Sequence, residues 1–169
     1  VKDSIDEHIA AWAHELADLD PVQEGIVGRI QLIARHSTQG RQSALRSGDL
    51  TLWQLKTLLM LRKVGAPYTA SPSQLASMLS LTRGAMSNRL SALEELGLVD
   101  RTHDGTDRRR VRVSLTAAGK RALEATLSAE GEAEVRMLEA LSSREKQTLS
   151  DLLRKVVLGI EGRRADQPD

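Results

Sequence analysis

Two short stretches of this chain are dense in groups that bind phosphates and base edges. Arg83, Ser87, Asn88 and Arg89 crowd one of them. Forked guanidiniums and an amide of this kind offer the hydrogen bonding that base edges in a major groove require. The other is Asp107-Arg108-Arg109-Arg110, placed just after Gly105 in a polar run. Adjacent guanidiniums repel one another in isolation and contribute little to folding; beside a phosphate backbone they release counterions. An acidic residue two positions before an arginine can hold it extended, as Asp107 would hold Arg109, for a narrow minor groove. A solvated helix face and a merely soluble turn are the plainer alternatives for the two stretches.

Other chemistries find little support. There is no cysteine, so disulfides, thiolate metal sites and cysteine redox sensing are excluded. His8, His14, His36 and His103 are scattered without the spacing of a zinc site, and no metal or other cofactor is expected. No glycine-rich phosphate loop, nucleophile elbow or carboxylate pair invites an enzymatic reading. Trp12, Trp53 and Tyr68 are the whole aromatic set, too few for a base-stacking platform on single strands. No apolar run approaches the roughly 18 residues of a membrane span, and the reading is of a cytoplasmic protein with no membrane partner.

The net charge is only +1, but it is unevenly spread. Lys2 stands against Asp3, Asp6, Glu7, Glu15, Asp18, Asp20 and Glu24 at the start of the chain. Arg83, Arg89, Arg101, Arg108, Arg109, Arg110 and Arg112, against Glu94, Glu95, Asp100, Asp104 and Asp107, make the middle locally basic. An acidic head and a basic middle place any contact with phosphate in the middle.

The elements that must position these groups follow from caps and periodicity. Asp3 or Ser4 caps a first helix to about Leu16, and Pro21 opens a long second helix to about Arg46 with Ile26, Ile30 and Ile33 in its apolar stripe. A third helix fits Leu52 to Val64. Ser71-Pro72 starts a short helix, and after Ser80-Leu81 Thr82 caps another through Leu96, closed by Gly97. Two short helices across a tight turn form a helix-turn-helix, the second presenting Arg83, Ser87, Asn88 and Arg89 while Leu90, Leu93 and Leu96 serve the core. Leu98 to Arg101 and Arg110 to Leu115 alternate as strands around a polar stretch, Thr102 to Arg109, giving a β-hairpin wing with a basic tip. Thr116 caps a helix to about Leu141, and Ser142 to Glu145 cap a last one with Leu149, Leu152, Leu153, Val156 and Ile160 on one face; the tail from Gly162 reads as polar and frayed.

The expected fold is therefore mainly α with a small β-wing: N-terminal helices over 1–48, a winged helix-turn-helix over 49–116, and C-terminal helices over 117–169. The apolar stripes of the first, second and last helices exceed what one small lobe can cover, so they are expected to bury one another in a homodimer.

Leu75-Ala76, Gly84-Ala85-Met86-Ser87-Asn88-Arg89-Leu90, Leu93-Glu94, Gly97-Leu98-Val99, Arg101, Asp107-Arg108-Arg109 and Leu115-Thr116-Ala117-Ala118-Gly119 together resemble the MarR (multiple antibiotic resistance regulator) family. The resemblance runs from about residue 50 to 120. It implies a homodimer joined through its terminal helices, with two winged-helix lobes on a pseudo-palindromic double-stranded operator. It also implies that Arg83, Ser87, Asn88 and Arg89 belong to the recognition helix and that Asp107 and Arg109 are the wing pair, with Arg108 and Arg110 beside them. A ligand-responsive repressor is the function so implied; a winged helix that only binds proteins is the alternative.

The first helix with Trp12, then Asp18-Leu19-Asp20-Pro21 and Gly28-Arg29, resembles the urate-responsive branch of that family. The resemblance implies a site for a small anionic or aromatic ligand at Trp12, Arg89 and Arg101. The branch's aspartate falls on Lys56, a charge reversal that favours a carboxylate or phosphate over urate. Simple packing on the second helix is the alternative for Trp12.

Overall fold

A computed structural model describes residues 1–13, 15–16, 18–104 and 107–165; for 103, 104, 107–110, 164 and 165 only the backbone is described. The chain forms two compact units, Val1–Gly131 and Glu132–Asp169.

In the first unit, helix α1 (Ser4–Trp12) is capped by Asp3, whose carboxylate accepts from the Ile5 and Asp6 amides while Asp6 accepts from the Asp3 amide. It stops at Trp12, a turn short of the expected Leu16, and buries no residue completely. Its one extensive neighbour is α2 (Pro21–Ser47), started by Asp20 and Pro21. The two helices approach where α2 carries glycine. A Cβ on Gly28 would come within 3.0 Å of the Ile5 side chain, and one on Gly25 within 3.5 Å of Ile9. Arg29 closes this contact by donating to Asp3 at 2.8 Å and to Asp6 at 2.6 Å.

Helix α3 (Leu52–Lys63) supplies Leu55, Leu58 and Leu61 to the core. After it come strand β1 (Thr69–Ala70), α4 (Pro72–Met78), α5 (Arg83–Glu95), β2 (Val99–Asp104), β3 (Asp107–Leu115) and the start of α6 (Ala117–Met137). Leu75 and Ala76 of α4, Met86, Leu90 and Leu93 of α5, Val99, Val113 and Leu115 of the sheet, and Leu123 of α6 complete one aliphatic cluster. Burying each of the leucines, valines and the methionine stabilises the fold by about 1.5–3 kcal/mol before entropy is counted.

The three strands lie in the order β1-β3-β2, all antiparallel. β1 was not expected from sequence. Two residues show no alternation, and they become a strand only by pairing with Val113 and Ser114. The hairpin is also longer than expected, because its strands run to Asp104 and from Asp107 and absorb most of the polar stretch. Leu96 is a correction: it is 59% exposed rather than part of the core. It caps α5, and Gly97, at φ +67°, swings the chain away so that Leu98 and Val99 pack inward instead.

In the second unit, α6 ends at Met137 rather than near Leu141, and α7 (Ser143–Ala165) follows. Ser142 and Glu145 form the expected reciprocal cap, and those bonds hold the Glu145 carboxyl below its usual range. α7 continues to Ala165, past the Gly162 at which fraying was expected. Leu152, Leu153, Val156, Val157 and Ile160 stand exposed along it.

Candidate nucleic-acid interface

The turn between α4 and α5 is short and constrained. Ser71 caps α4 through the Gln74 amide, Ser80 takes φ +52°, the Leu81 amide donates to the Ala76 carbonyl, and Thr82 caps α5 through the Ala85 amide. Helix α5 is thereby pinned at its first residue, with Met86, Leu90 and Leu93 anchored in the core. The opposite face shows Arg83, Gly84, Ser87 and Asn88 to solvent. Arg83, Ser87 and Asn88 are three of the four expected reading positions, and they lie in the first two turns.

Arg89 is different. It is half-buried, with its guanidinium 5.6 Å from the centre of the Trp53 ring of α3. That cation–π contact holds it toward α3. Trp53 had no role in the sequence reading, since a tryptophan within an apolar helix carries no signal of its cation.

Arg101 is likewise engaged. It sits on β2 opposite Val113, and one terminal nitrogen donates to the Ser87 carbonyl and the Ser91 hydroxyl, each at 3.0 Å. Its Nε is 3.3 Å from a Glu94 oxygen, an ion pair not aligned as a hydrogen bond, and is otherwise without a hydrogen-bond partner.

The wing tip residues Asp107, Arg108, Arg109 and Arg110 fall on the β3 backbone, but their side chains lie outside the described residues, as does the tip at 105–106. At the wing's root, Thr116 donates to the Gly97 carbonyl at 2.7 Å and accepts from the Gly119 amide at 2.9 Å. Gly119 is required there, because a Cβ would collide with the Leu98 carbonyl.

Of the expected ligand residues, Trp12 lines a pocket of about 200 Å³ with His8, Ile9, Leu16, Leu19 and Glu24. Lys56, exposed on α3, does not line it, nor do Arg89 and Arg101. Lys56 lies one turn beyond Trp53, on the helix that holds Arg89. The four residues are thus divided between the α1–α2 pocket and the winged-helix lobe. Among the described residues no cluster of metal-ligating side chains occurs, and no helix is long and apolar enough to cross a membrane.

Comparison with known proteins agrees with this geometry. Residues 48–110 match the MarR family model. The HTH-type transcriptional regulator PecS of Dickeya dadantii is 28% identical over 152 residues, spanning 90% of this chain and 92% of PecS. The structure of a Staphylococcus aureus MepR–DNA complex superposes with a TM-score of 0.66 at 28% identity, over 77% of this chain and 96% of that one. YusO of Bacillus subtilis, at 23% identity, shares the fold with a TM-score of 0.73, over 83% of this chain and 98% of YusO. With the helix-turn-helix, the wing and these matches in hand, residues 48–110 are similar to the MarR family, and most of the chain is similar to the transcriptional regulator PecS.

Proposed function

We propose that this protein is a ligand-responsive repressor that binds a pseudo-palindromic operator as a homodimer. The observation that carries the reading is the exposed Arg83, Ser87 and Asn88 face of a helix whose other face is locked into the core. Such a helix can enter a major groove without unfolding anything, and the Arg108–Arg110 run would follow the neighbouring backbone or minor groove. The DNA complex of the similar MepR supports the same use of the fold.

Exposed apolar side chains support the dimer. Val22, Ile26, Val27, Ile30 and Ile33 on α2, and Leu152, Leu153, Val156, Val157 and Ile160 on α7, form stripes too extensive for a monomer's surface. A second copy is the partner that would cover them.

The ligand arm of the proposal rests on two places. The Trp12 pocket offers an aromatic face and apolar walls for a planar molecule. Its polar walls are His8 and Glu24, so an anionic ligand would draw its cations from Lys56, Arg89 and Arg101. An anion that captured Arg89 or Arg101 would take it from Trp53 or from α5 and loosen the reading helix. Ligand and DNA would then weaken each other by one common factor.

The test is selection of duplexes from a random pool by the full chain, followed by binding of the selected duplex and a scrambled one. Preference for a two-fold symmetric sequence supports the proposal. Equal affinity for both duplexes overturns it in favour of a protein-binding winged helix.

A further inference from the structure

Arg101 touches α5 at Ser87, Ser91 and Glu94, positions i, i+4 and i+7. These lie along one flank of the helix, so one guanidinium spans two turns. Its backbone is fixed independently: Arg101 is paired with Val113 at the root of the hairpin, and the Val113 side chain is fully buried. The arginine therefore ties the strand that carries the wing to the helix that carries the reading residues.

Its other properties suit a brace better than a contact. The side chain is 22% exposed, against 45% for its partner Glu94, and the Glu94 carboxylate already neutralises it. A guanidinium so paired and so little exposed is poorly placed to meet a DNA phosphate. One terminal nitrogen makes both donor bonds while Nε faces Glu94, and the single nitrogen of a lysine cannot serve both sides at once.

The geometry points to Arg101 as a positioning residue that fixes the angle between wing and recognition helix, and through it operator specificity, without touching DNA. A specific complex must satisfy the major groove with α5 and the adjacent backbone with the wing at once, so a slack angle costs sequence discrimination. Non-specific binding needs only phosphate contacts and tolerates slack. This rests on the DNA-binding reading above.

The variants are Arg101→Met, which keeps the apolar stem and removes every donor, and Arg101→Lys. Fluorescence anisotropy with the selected duplex and a scrambled one is measured over a range of salt, and amide hydrogen exchange is measured without DNA. Arg101→Met is expected to lose about tenfold or more on the selected duplex, with scrambled-duplex affinity and the salt slope unchanged. Arg101→Lys is expected to recover only part of the loss. In the absence of DNA, amides of α5 and of β2 are expected to exchange faster in Arg101→Met while those of α4 do not. Equal losses on both duplexes, with the salt slope reduced by about one, would make Arg101 a phosphate contact and overturn the inference. Unchanged exchange in α5 and β2 would overturn it regardless of DNA. A wild-type chain that selects no sequence would instead count against the DNA-binding reading, and the exchange result would still decide Arg101.

Discussion

The Arg89 guanidinium stands 5.6 Å from the centre of the Trp53 ring, joining α5 to α3 by a contact that neither helix shows in sequence. A half-buried pair of this kind contributes about 0.5–2 kcal/mol. Trp53→Leu preserves an apolar side chain but removes the ring face. It is expected to lower thermal stability by an amount in that range and to release Arg89. Arg89→Ala in the same background should then cost almost nothing further, and a double-mutant cycle by chemical denaturation measures the coupling. Additive losses would show that the contact carries no energy.

Gly84 occupies the second position of α5 on the exposed face, and a Cβ there would meet no protein atom within 4 Å. Alanine is the better helix former, by up to about 1 kcal/mol. Gly84→Ala is therefore expected to raise or maintain stability while weakening binding to the selected duplex, because the added methyl projects where DNA would approach. Calorimetry and anisotropy on the one variant separate the two effects. Undiminished DNA binding would show that α5 does not dock through this face.

The Asp3, Asp6 and Arg29 cluster makes the docking of α1 sensitive to acid. The Arg29 guanidinium, aided by the Asp6 and Ile5 amides, holds the Asp3 carboxyl below its usual range, and the Asp3 amide together with Arg29 does the same for Asp6. Carboxyls lowered in the folded state stabilise it above their ordinary value of 3.8 and lose that contribution as pH falls through the lowered values. In a Trp53→Phe background, Trp12 fluorescence is expected to hold steady down to about pH 4 and to change below it. Arg29→Gln should loosen α1 already at neutral pH and weaken its response to acid, because the carboxyls are then held less far below their ordinary value. An identical profile in the two proteins would show that the ion pairs do not hold the helix.

Many helix boundaries were legible because they are written in local chemistry. Ser71-Pro72, Thr82, Gly97, Thr116 and Ser142 each act through hydrogen bonds or dihedral freedom that a few neighbouring residues decide. What stayed hidden depends on chain segments far apart. β1 exists through Val113 and Ser114, and the need for glycine at 119 comes from the Leu98 carbonyl. Leu96 misled because the three-residue step from Leu93 holds only while the helix continues, and the helix ends there. For the site, residue types and spacing on α5 suggested which groups face outward, yet could not show that Arg89 is claimed by Trp53 and Arg101 by Ser87 and Ser91. A polar residue at each of 87, 91 and 94 was the available hint that something runs along that flank.

The most direct test of the central claim is titration of the selected duplex with the full chain under light scattering and anisotropy together, at several salt concentrations. Two chains per duplex are expected, already dimeric before DNA is added. Affinity should fall steeply with salt, with a further loss when Arg83, Asn88 or Arg109 is replaced by alanine, about 1–3 kcal/mol for each lost base contact. A stable folded monomer of 18.5 kDa that binds selected and scrambled duplexes alike, with all three variants unchanged, would contradict it.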